Sequence, residues 1–300
     1  MRPQSGFLER YCMATQIRHG YIDFPSEWEH VESHSVGPFV TRVVHRRGDG
    51  AEDVRTSRRH RKNLGPEPAA AGRLRWLLWR PSSLNWWIAV LFMIGSWHFV
   101  SGSVLVLVGL PNVYLIDLIF FVGSIFFTAA GYSQYFQSIN APTAIDSEGR
   151  TQAQVVRRYL GWQPRRIDFW ATFPQFLGTL AFNVTTFAAF ASVGWLGYEV
   201  IVWVPDYVGS ILFLVSGVAA VVEFCHRLFC WKRRDLTWWI VVINFAGCVA
   251  FMLSAIRAYY LPVAIFGHLA TWSTIFTLIG AVCFFVGSYL MWPEMSAETA

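Results

Sequence analysis

From residue 84 onward, the chain alternates between long apolar runs and short polar segments. An apolar run of about 18 residues or more can cross the roughly 30 Å hydrocarbon core of a bilayer as a helix. Six runs meet this requirement, at about 85–107, 115–136, 168–190, 203–225, 236–257 and 271–291. The pattern therefore predicts an all-α integral membrane protein with six transmembrane helices. Its low content of charged residues, 14% against about a quarter in soluble domains, agrees with this class.

The six runs read as three copies of one helical hairpin. The first helix of each copy begins with a polar residue and two aromatic residues, at 85–87, 168–170 and 237–239. A glycine follows at the same distance in every copy, and a second constant spacing places another glycine in each second helix. These repeat glycines are Gly95, Gly178 and Gly247 in the first helices, and Gly123, Gly209 and Gly280 in the second helices. Small residues at helical spacing usually mark close helix contacts, so we interpret all six as helix-packing positions.

The predicted hairpins all start and end on the same side of the membrane. They are therefore parallel repeats, which an axis along the membrane normal relates to one another. A pseudo-threefold bundle is the simplest closed arrangement of such repeats. We expect a cytoplasmic N-terminal segment at 1–72, followed by hairpin repeats at 73–140, 155–225 and 226–292. Because 46–72 is rich in Arg, Gly, Pro, Asp and Ala and poor in aromatic residues, the N-terminal segment is expected to be largely disordered.

The basic residues predict the orientation of the chain in the membrane. Of the 24 Lys and Arg residues, all but Arg257 fall in 1–83 or in the loops after the second and fourth helices. Because positively charged loops stay in the cytoplasm, we expect a multi-pass protein of the bacterial inner membrane with both termini cytoplasmic. The expected partners are the lipid bilayer and anionic lipid at the basic loops, not nucleic acid, and a protein partner is unknown. Disulfides are rare in that compartment, so none is expected among the five cysteines.

The first hairpin resembles a known family. The runs NWWIAVLFMIGS at 85–96 and FFVGSIFFTAAGY at 120–132 are similar to the YrhK-like domain of bacterial membrane proteins. The resemblance covers about 75–140 and implies one two-helix hairpin there, while the two later hairpins resemble the domain more loosely. The family has no assigned activity, so the resemblance implies no functional residue.

Polar side chains within the predicted helices are the candidates for chemistry. Gln175, Asn183 and Thr186 share one face of the third helix, beside Pro174, which is expected to kink that helix. Such a stripe either lines a pathway or joins helices by hydrogen bonds. His98 is the one ionisable residue predicted to lie deep in the bundle. It would act as a proton relay or, in the interpretation we prefer, as a hydrogen-bonding partner of a neighbouring helix.

The sequence carries no catalytic signature. It contains no phosphate-binding glycine loop, nucleophile elbow, zinc-protease pair or cysteine quartet. We therefore expect no enzymatic activity, no catalytic residue, no cofactor and no metal site. Two functions stay open. The scarcity of deep charge favours a non-enzymatic membrane scaffold or sensor, which we prefer. The polar stripe of the third helix favours a small-solute transporter or channel that uses the axis between the repeats.

Overall fold

The structure is a computed structural model that describes residues 16–19, 21–64, 76–77, 79–152, 156–191, 197, 199–259 and 267–296. The strands are β1 (Gln16–His19), β2 (Ile22–Pro25), β3 (Glu29–Val36), β4 (Phe39–Arg46), β5 (Glu52–Thr56), β6 (Ala144–Ile145) and β7 (Thr151–Gln152). The helices are α1 (Ser57–Arg61), α2 (Leu84–Leu107), α3 (Val113–Ile139), α4 (Ile167–Trp170), α5 (Phe173–Ala188), α6 (Val204–Cys225), α7 (Leu236–Arg257), α8 (Gly267–Tyr289) and α9 (Met291–Ser296). A π-helical turn, Glu199–Trp203, precedes α6.

Five described helical segments are long and apolar enough to cross a membrane. They are α2, α3, Val200–Cys225 with α6, α7, and Ala270–Ser296 with α8. The chain is therefore mostly helical and has the character of a multi-pass membrane protein. The predicted count of six crossings is not reached by this measure, because the third predicted helix is divided.

Pro174 explains this division. α4 ends at Trp170 and α5 begins at Phe173, directly before the proline. Proline lacks the backbone N–H that would continue the hydrogen-bond ladder, and its ring clashes with the preceding turn. The expected kink is thus present as a break. It leaves α5 with 16 residues, fewer than the roughly 18 that a helix needs to cross a bilayer alone.

The long helices pack in chain order around one axis. α2 contacts α3, α3 contacts α5, α5 contacts α6, α6 contacts α7, and α7 contacts α8. The last of them, α8, packs back against α2. The helices therefore form a closed ring, which we call the helix ring.

The six repeat glycines lie where the two helices of each hairpin approach most closely. A Cβ atom added to Gly95 would lie 3.0 Å from the carbonyl oxygen of Gly123, and one added to Gly178 would lie 2.9 Å from that of Gly209. A Cβ atom added to Gly280 would lie 3.2 Å from the carbonyl oxygen of Gly247. These distances are shorter than ordinary van der Waals contacts, so only glycine allows the two backbones to come this close.

Six phenylalanines fill the axis of the helix ring at mid-height. Each follows a repeat glycine by four positions: Phe99, Phe182 and Phe251 in the first helices, and Phe127, Phe213 and Phe284 in the second helices. None is more than 8% exposed, and neighbouring ring centroids lie between 5.0 and 6.2 Å apart. Such spacing is typical of packed aromatic side chains. We call this set the phenylalanine layer, and it closes the axis with side chains.

The prediction of a largely disordered N-terminal segment is wrong for the described residues of that segment. They form two small sheets, with strand orders β1-β2-β6-β7 and β3-β4-β5. Tyr21, Phe24, Trp28 and Val43 make a buried core that also includes Ile145. The protein is therefore not purely α-helical, and we call β1–β7 the β module. Residues 1–15 and 65–72, also part of the predicted disorder, lie outside the described residues.

Two features explain why the sequence pattern did not predict this core. Strand β6, which pairs in parallel with β2, comes from the loop between α3 and α4. In addition, some of the charged residues that indicated disorder are buried as ion pairs. Asp53 and Arg55 are 0% and 2% exposed, and the guanidinium of Arg55 donates to both carboxylate oxygens of Asp53. Buried charges are tolerated when they are paired in this way.

Candidate functional site

A short basic helix, α1, is inserted into the end of the helix ring that carries the β module. α1 contacts α4 and α6 of the ring as well as β4 and β5. Arg58, Arg61 and the following Lys62 are only 8%, 4% and 4% exposed. Removing a charge from water costs several kcal/mol unless it gains a partner, so these three cations need acidic partners nearby.

Two glutamates supply these partners, Glu223 in α6 and Glu294 in α9. The Arg61 guanidinium donates to both carboxylate oxygens of Glu223, at 3.2 Å each. Glu294 accepts hydrogen bonds from Arg58, at 3.2 Å, and from Lys62. Both carboxylates are buried, at 0% and 7% exposure. We call these five residues the ionic seat of α1.

Neutral side chains complete the ionic seat. The hydroxyl of Ser57 donates to Glu223 at 3.0 Å, and the hydroxyl of Thr237 donates to Glu294 at 3.0 Å. Asn85 donates to the backbone oxygen of Lys62 at 3.0 Å and accepts from Gln137 at 2.7 Å. Polar groups from α2, α3, α6, α7 and α9 therefore contact α1, the residue that follows it, or their partners.

The two glutamates of the ionic seat could have been found from the sequence, because they occupy equivalent positions in their repeats. Glu223 and Glu294 each follow the second-helix glycine of their repeat by fourteen positions, and Gln137 holds the same place in the first repeat. A polar residue therefore recurs at the same end of every hairpin. The partner, α1, lies more than 160 residues before Glu223, and no local pattern connects the two.

Two cavities lie on the axis, on opposite sides of the phenylalanine layer. The near cavity, of about 60 Å³, lies between α1 and the layer, and its lining includes Arg58, Arg61, Lys62 and Phe284. The far cavity, of about 240 Å³, has Phe99, Phe182 and Phe251 in its lining, together with hydroxyl groups and the carboxylates of Asp117 and Asp206. The layer therefore separates a space lined by cations from a larger one lined by acidic and hydroxyl groups.

Gln175 and Thr186 of the predicted polar stripe lie at different cavities. The side-chain oxygen of Gln175 accepts from Ser216 of α6 at 3.4 Å, and Gln175 lines the near cavity. The Thr186 hydroxyl is 2.9 Å from that of Ser124 in α3, and Thr186 lines the far cavity. The stripe does not form one continuous polar path, because the phenylalanine layer lies between its ends.

Asn183 and His98, the other predicted polar positions, take part in helix contacts. The Asn183 amide donates to the hydroxyl of Thr128 in α3 at 2.8 Å. Nδ1 of His98 lies 2.8 Å from the backbone oxygen of Ile94, and its ring lies 5.8 Å from that of Phe126. The structure does not bring His98 together with the stripe of the third helix.

The expectation of reduced cysteines is contradicted by a disulfide between Cys225 and Cys230. α6 ends at Cys225, and the next residue, His226, has a left-handed backbone with φ of 55°. This conformation turns the chain back so that the two cysteines meet. The bond lies two residues from Glu223 and next to the ionic seat. The expectation rested on the compartment alone, whereas the pairing depends on this local geometry.

The site offers charge and hydrogen bonding more than reactive groups. In the described ranges, no cluster of three or more His, Cys, Asp or Glu side chains could hold a metal ion. His60 of α1 is buried, and burial is the main cause that lowers its pKa to about 4. Its Nε2 donates to the backbone oxygen of Pro142, so the imidazole is a neutral structural group at pH 7.

Comparison with known proteins does not assign this geometry to a family. No protein-family model, no curated protein and no solved structure matches the chain. The ionic seat, the two cavities and the phenylalanine layer are therefore the basis for a function.

Proposed function

We propose that this protein is a non-enzymatic membrane scaffold or sensor, in which the ionic seat holds the β module on the end of the helix ring. The phenylalanine layer carries this proposal. A transporter or channel needs a path for its solute, whereas six buried aromatic rings separate the near cavity from the far cavity. A second barrier, α1, covers the near cavity.

The ionic seat favours a sensor over an inert anchor. Well-packed apolar residues stabilise an interface as well as a buried ion pair does, so buried pairs are a weak device for stability alone. They do make docking sensitive to charge, because loss of one partner leaves the other buried and uncompensated. A module held in this way is either seated or released, which is the behaviour that a sensor requires.

The proposal includes six crossings, with α4 and α5 together as the third. Residues 167–188 would extend about 33 Å at 1.5 Å per residue, enough for a hydrocarbon core of roughly 30 Å. Matching hydrogen bonds support a pseudo-threefold arrangement: the indoles of Trp87, Trp170 and Trp239 each donate to a backbone oxygen six residues earlier, at 2.9 Å. The YrhK-like resemblance of 75–140 would then describe one of three such units.

We further propose that the β-module end faces the cytoplasm of a bacterial inner membrane and contacts anionic lipid. The loops before the first helix of each hairpin expose an indole, with Trp79, Trp162 and Trp231 79%, 67% and 62% exposed. Exposed arginines such as Arg158 and Arg227 lie in the same loops. Indoles favour headgroup depth, and cations there attract anionic lipid.

The far cavity favours the second candidate function, a small-solute transporter or channel. Its volume of about 240 Å³ and its carboxylates, Asp117 and Asp206, would suit a small polar solute. Transport would require the phenylalanine layer to open and α1 to leave its seat. The alternative therefore predicts that a position in either cavity becomes accessible from both sides of the membrane.

Thiol labelling in proteoliposomes tests the two functions against each other. Cysteine is placed singly at Gln175 for the near cavity or Thr186 for the far cavity, in a protein without native cysteines. A membrane-impermeant thiol reagent is then added to one side at a time, since it reacts only where water reaches the thiol. For a scaffold or sensor, Thr186→Cys should react from the far side alone and Gln175→Cys from neither side.

Two positions provide the controls for this experiment. Leu228, 78% exposed in the loop before α7, should label fully as cysteine, whereas Val184, 51% exposed on the outer face of α5, should stay unlabelled in lipid. Labelling of one cavity position from both sides would favour transport and overturn the scaffold proposal.

A further inference from the structure

The ionic seat holds one more positive charge than negative charge. Among the residues that the structure describes, Arg58, Arg61 and Lys62 pair with Glu223 and Glu294 alone, and all five are less than 9% exposed. An isolated buried charge costs several kcal/mol even after the protein relaxes around it. One negative charge is therefore needed at this place to make the seat neutral.

The described groups that surround the seat do not supply this charge. Asp168 lies near, but both of its oxygens accept from Arg166, so that pair is neutral by itself. His60 is uncharged at pH 7, because burial, and after it Arg166, lower its pKa to about 4. The pKa of Lys62 is also lowered, to about 8, first by burial and then by Arg58, so the lysine keeps its charge at pH 7.

Two buried donors of the seat lack an acceptor. Within the described part of the chain, Nε of Arg58 and Nη1 of Arg61 are buried and have no hydrogen-bond partner. Arg58 and Arg61 both line the near cavity. A buried donor without a partner costs about 1–3 kcal/mol, and more when it is charged. These two N–H groups therefore call for an acceptor inside the near cavity.

The near cavity has the size and lining for one small anion. Its volume of about 60 Å³ exceeds the roughly 10–15 Å³ that one water molecule requires, so a small anion fits. Beyond the three cations, its polar lining is neutral, from Gln134, Gln175, Ser216, Asn244 and Ser288. No described lining residue is acidic, because Glu223 and Glu294 bind the cations from outside the cavity.

We propose that the near cavity binds a single small monovalent anion of the size of chloride, which neutralises the ionic seat and accepts hydrogen bonds from Arg58 and Arg61. A single negative charge matches the excess of one positive charge, whereas the second charge of a sulfate or a hydrogen phosphate would exceed it. The bound anion would stabilise α1 in the seated position. The site does not depend on the proposed function, since a scaffold, a sensor and a transporter could each contain it.

Thermal unfolding of the full-length protein in detergent tests the anion site. Tm is measured in sodium chloride, sodium bromide and sodium gluconate at equal ionic strength. Chloride and bromide should raise Tm along a saturable curve, as expected for ligands that bind only the folded state, while gluconate, too large for the cavity, should not. Equal Tm values in the three salts at all concentrations would show that water fills the cavity and would overturn the proposal.

The variant Lys62→Gln removes the excess charge and leaves both arginine–glutamate pairs intact. In this variant, chloride should raise Tm much less than it does in the unaltered protein. Lys232→Gln is the matched control, since Lys232 is exposed in the loop before α7, and this variant should keep the full shift. A full chloride response in Lys62→Gln would contradict the proposal.

Crystals of the unaltered protein grown in bromide give a readout that does not depend on the folding of any variant. An anomalous peak in the near cavity, in contact with Arg58 and Arg61, is expected. Absence of a peak at saturating bromide would overturn the site. The Tm series and the bromide crystals test the anion site, whereas thiol labelling tests the proposed function. Either proposal can therefore be refuted without the other.

Discussion

Replacement of Glu223 by glutamine tests the ionic seat directly. The variant keeps the shape of the side chain but leaves Arg61, 4% exposed, without an opposing charge. Removal of one partner from a buried ion pair typically costs about 3–5 kcal/mol. Arg61→Gln should cost a similar amount, because Glu223, 0% exposed, then keeps Ser57 as its single donor among the described residues.

The double variant Glu223→Gln/Arg61→Gln separates the charge effect from general damage. It removes both charges and keeps two amides that can hydrogen-bond to each other, so its cost should be well below the sum of the single losses. We expect a coupling energy of about 2–3 kcal/mol or more in this double-mutant cycle. Glu29→Gln is the control: its partner Arg46 lies at 3.1 Å, but both side chains are exposed, at 69% and 44%, so the loss should stay below about 1 kcal/mol.

Two measurements complete this test. Chemical unfolding in detergent at constant chloride gives the free energies, and hydrogen exchange shows where the structure opens. Exchange should rise in α1 and β5 of the single variants and stay unchanged in α7 and α8, which the repeat glycines and the phenylalanine layer hold together. Additive losses in the cycle, or exchange that rises first in the helix ring, would refute the seat as the element that docks the β module.

Two further predictions concern packing and pH. Gly178→Ala should lower Tm, since its Cβ would lie 2.6 Å from Cδ1 of Phe213 and overpacking costs about 1–3 kcal/mol; Gly131→Ala, with its nearest contacts at 3.4 Å, should not, and equal values would contradict close helix contact at Gly178. The pKa of His60 falls from 6.5 to about 4 on folding, so the unfolded state binds the proton more tightly. The free energy of unfolding should therefore decrease as the pH falls from about 6.5 to 4, by up to about 3 kcal/mol. His60→Gln should flatten the dependence of Tm on pH in that range, and an unchanged slope would show that other groups cause it.

The helix ring could be predicted because its pattern is local and repeated. Each hairpin carries the same pattern, a glycine followed four positions later by phenylalanine, and both residues act within the contact between adjacent helices. The packing of six phenylalanines on the axis follows once the helices close into a ring. Closure itself depends on the contact between α2 and α8, which no single repeat reveals.

The ionic seat could not be predicted in the same way, since its partners are distant in sequence. Arg61 and Glu223 are separated by 162 positions, and Lys62 and Glu294 by 232. The composition of 46–72 indicates solvated arginines, whereas Arg58 and Arg61 are buried. A high content of charged residues indicates disorder only when these residues lack partners elsewhere in the chain.

The disulfide and the basic loops indicate opposite orientations of the protein in the membrane. The loops predict that the β-module end is cytoplasmic, yet Cys225 and Cys230, bonded at that same end, should then be held reduced. A cytoplasmic β-module end and a disulfide at that end are compatible only if the bond forms after the cells are broken open. Cells quenched in acid and alkylated on denaturation should accordingly show both cysteines modified, while protein purified in air should show neither modified. A pair already oxidised in the quenched cells would place this end on the oxidising side of the membrane and reverse the orientation.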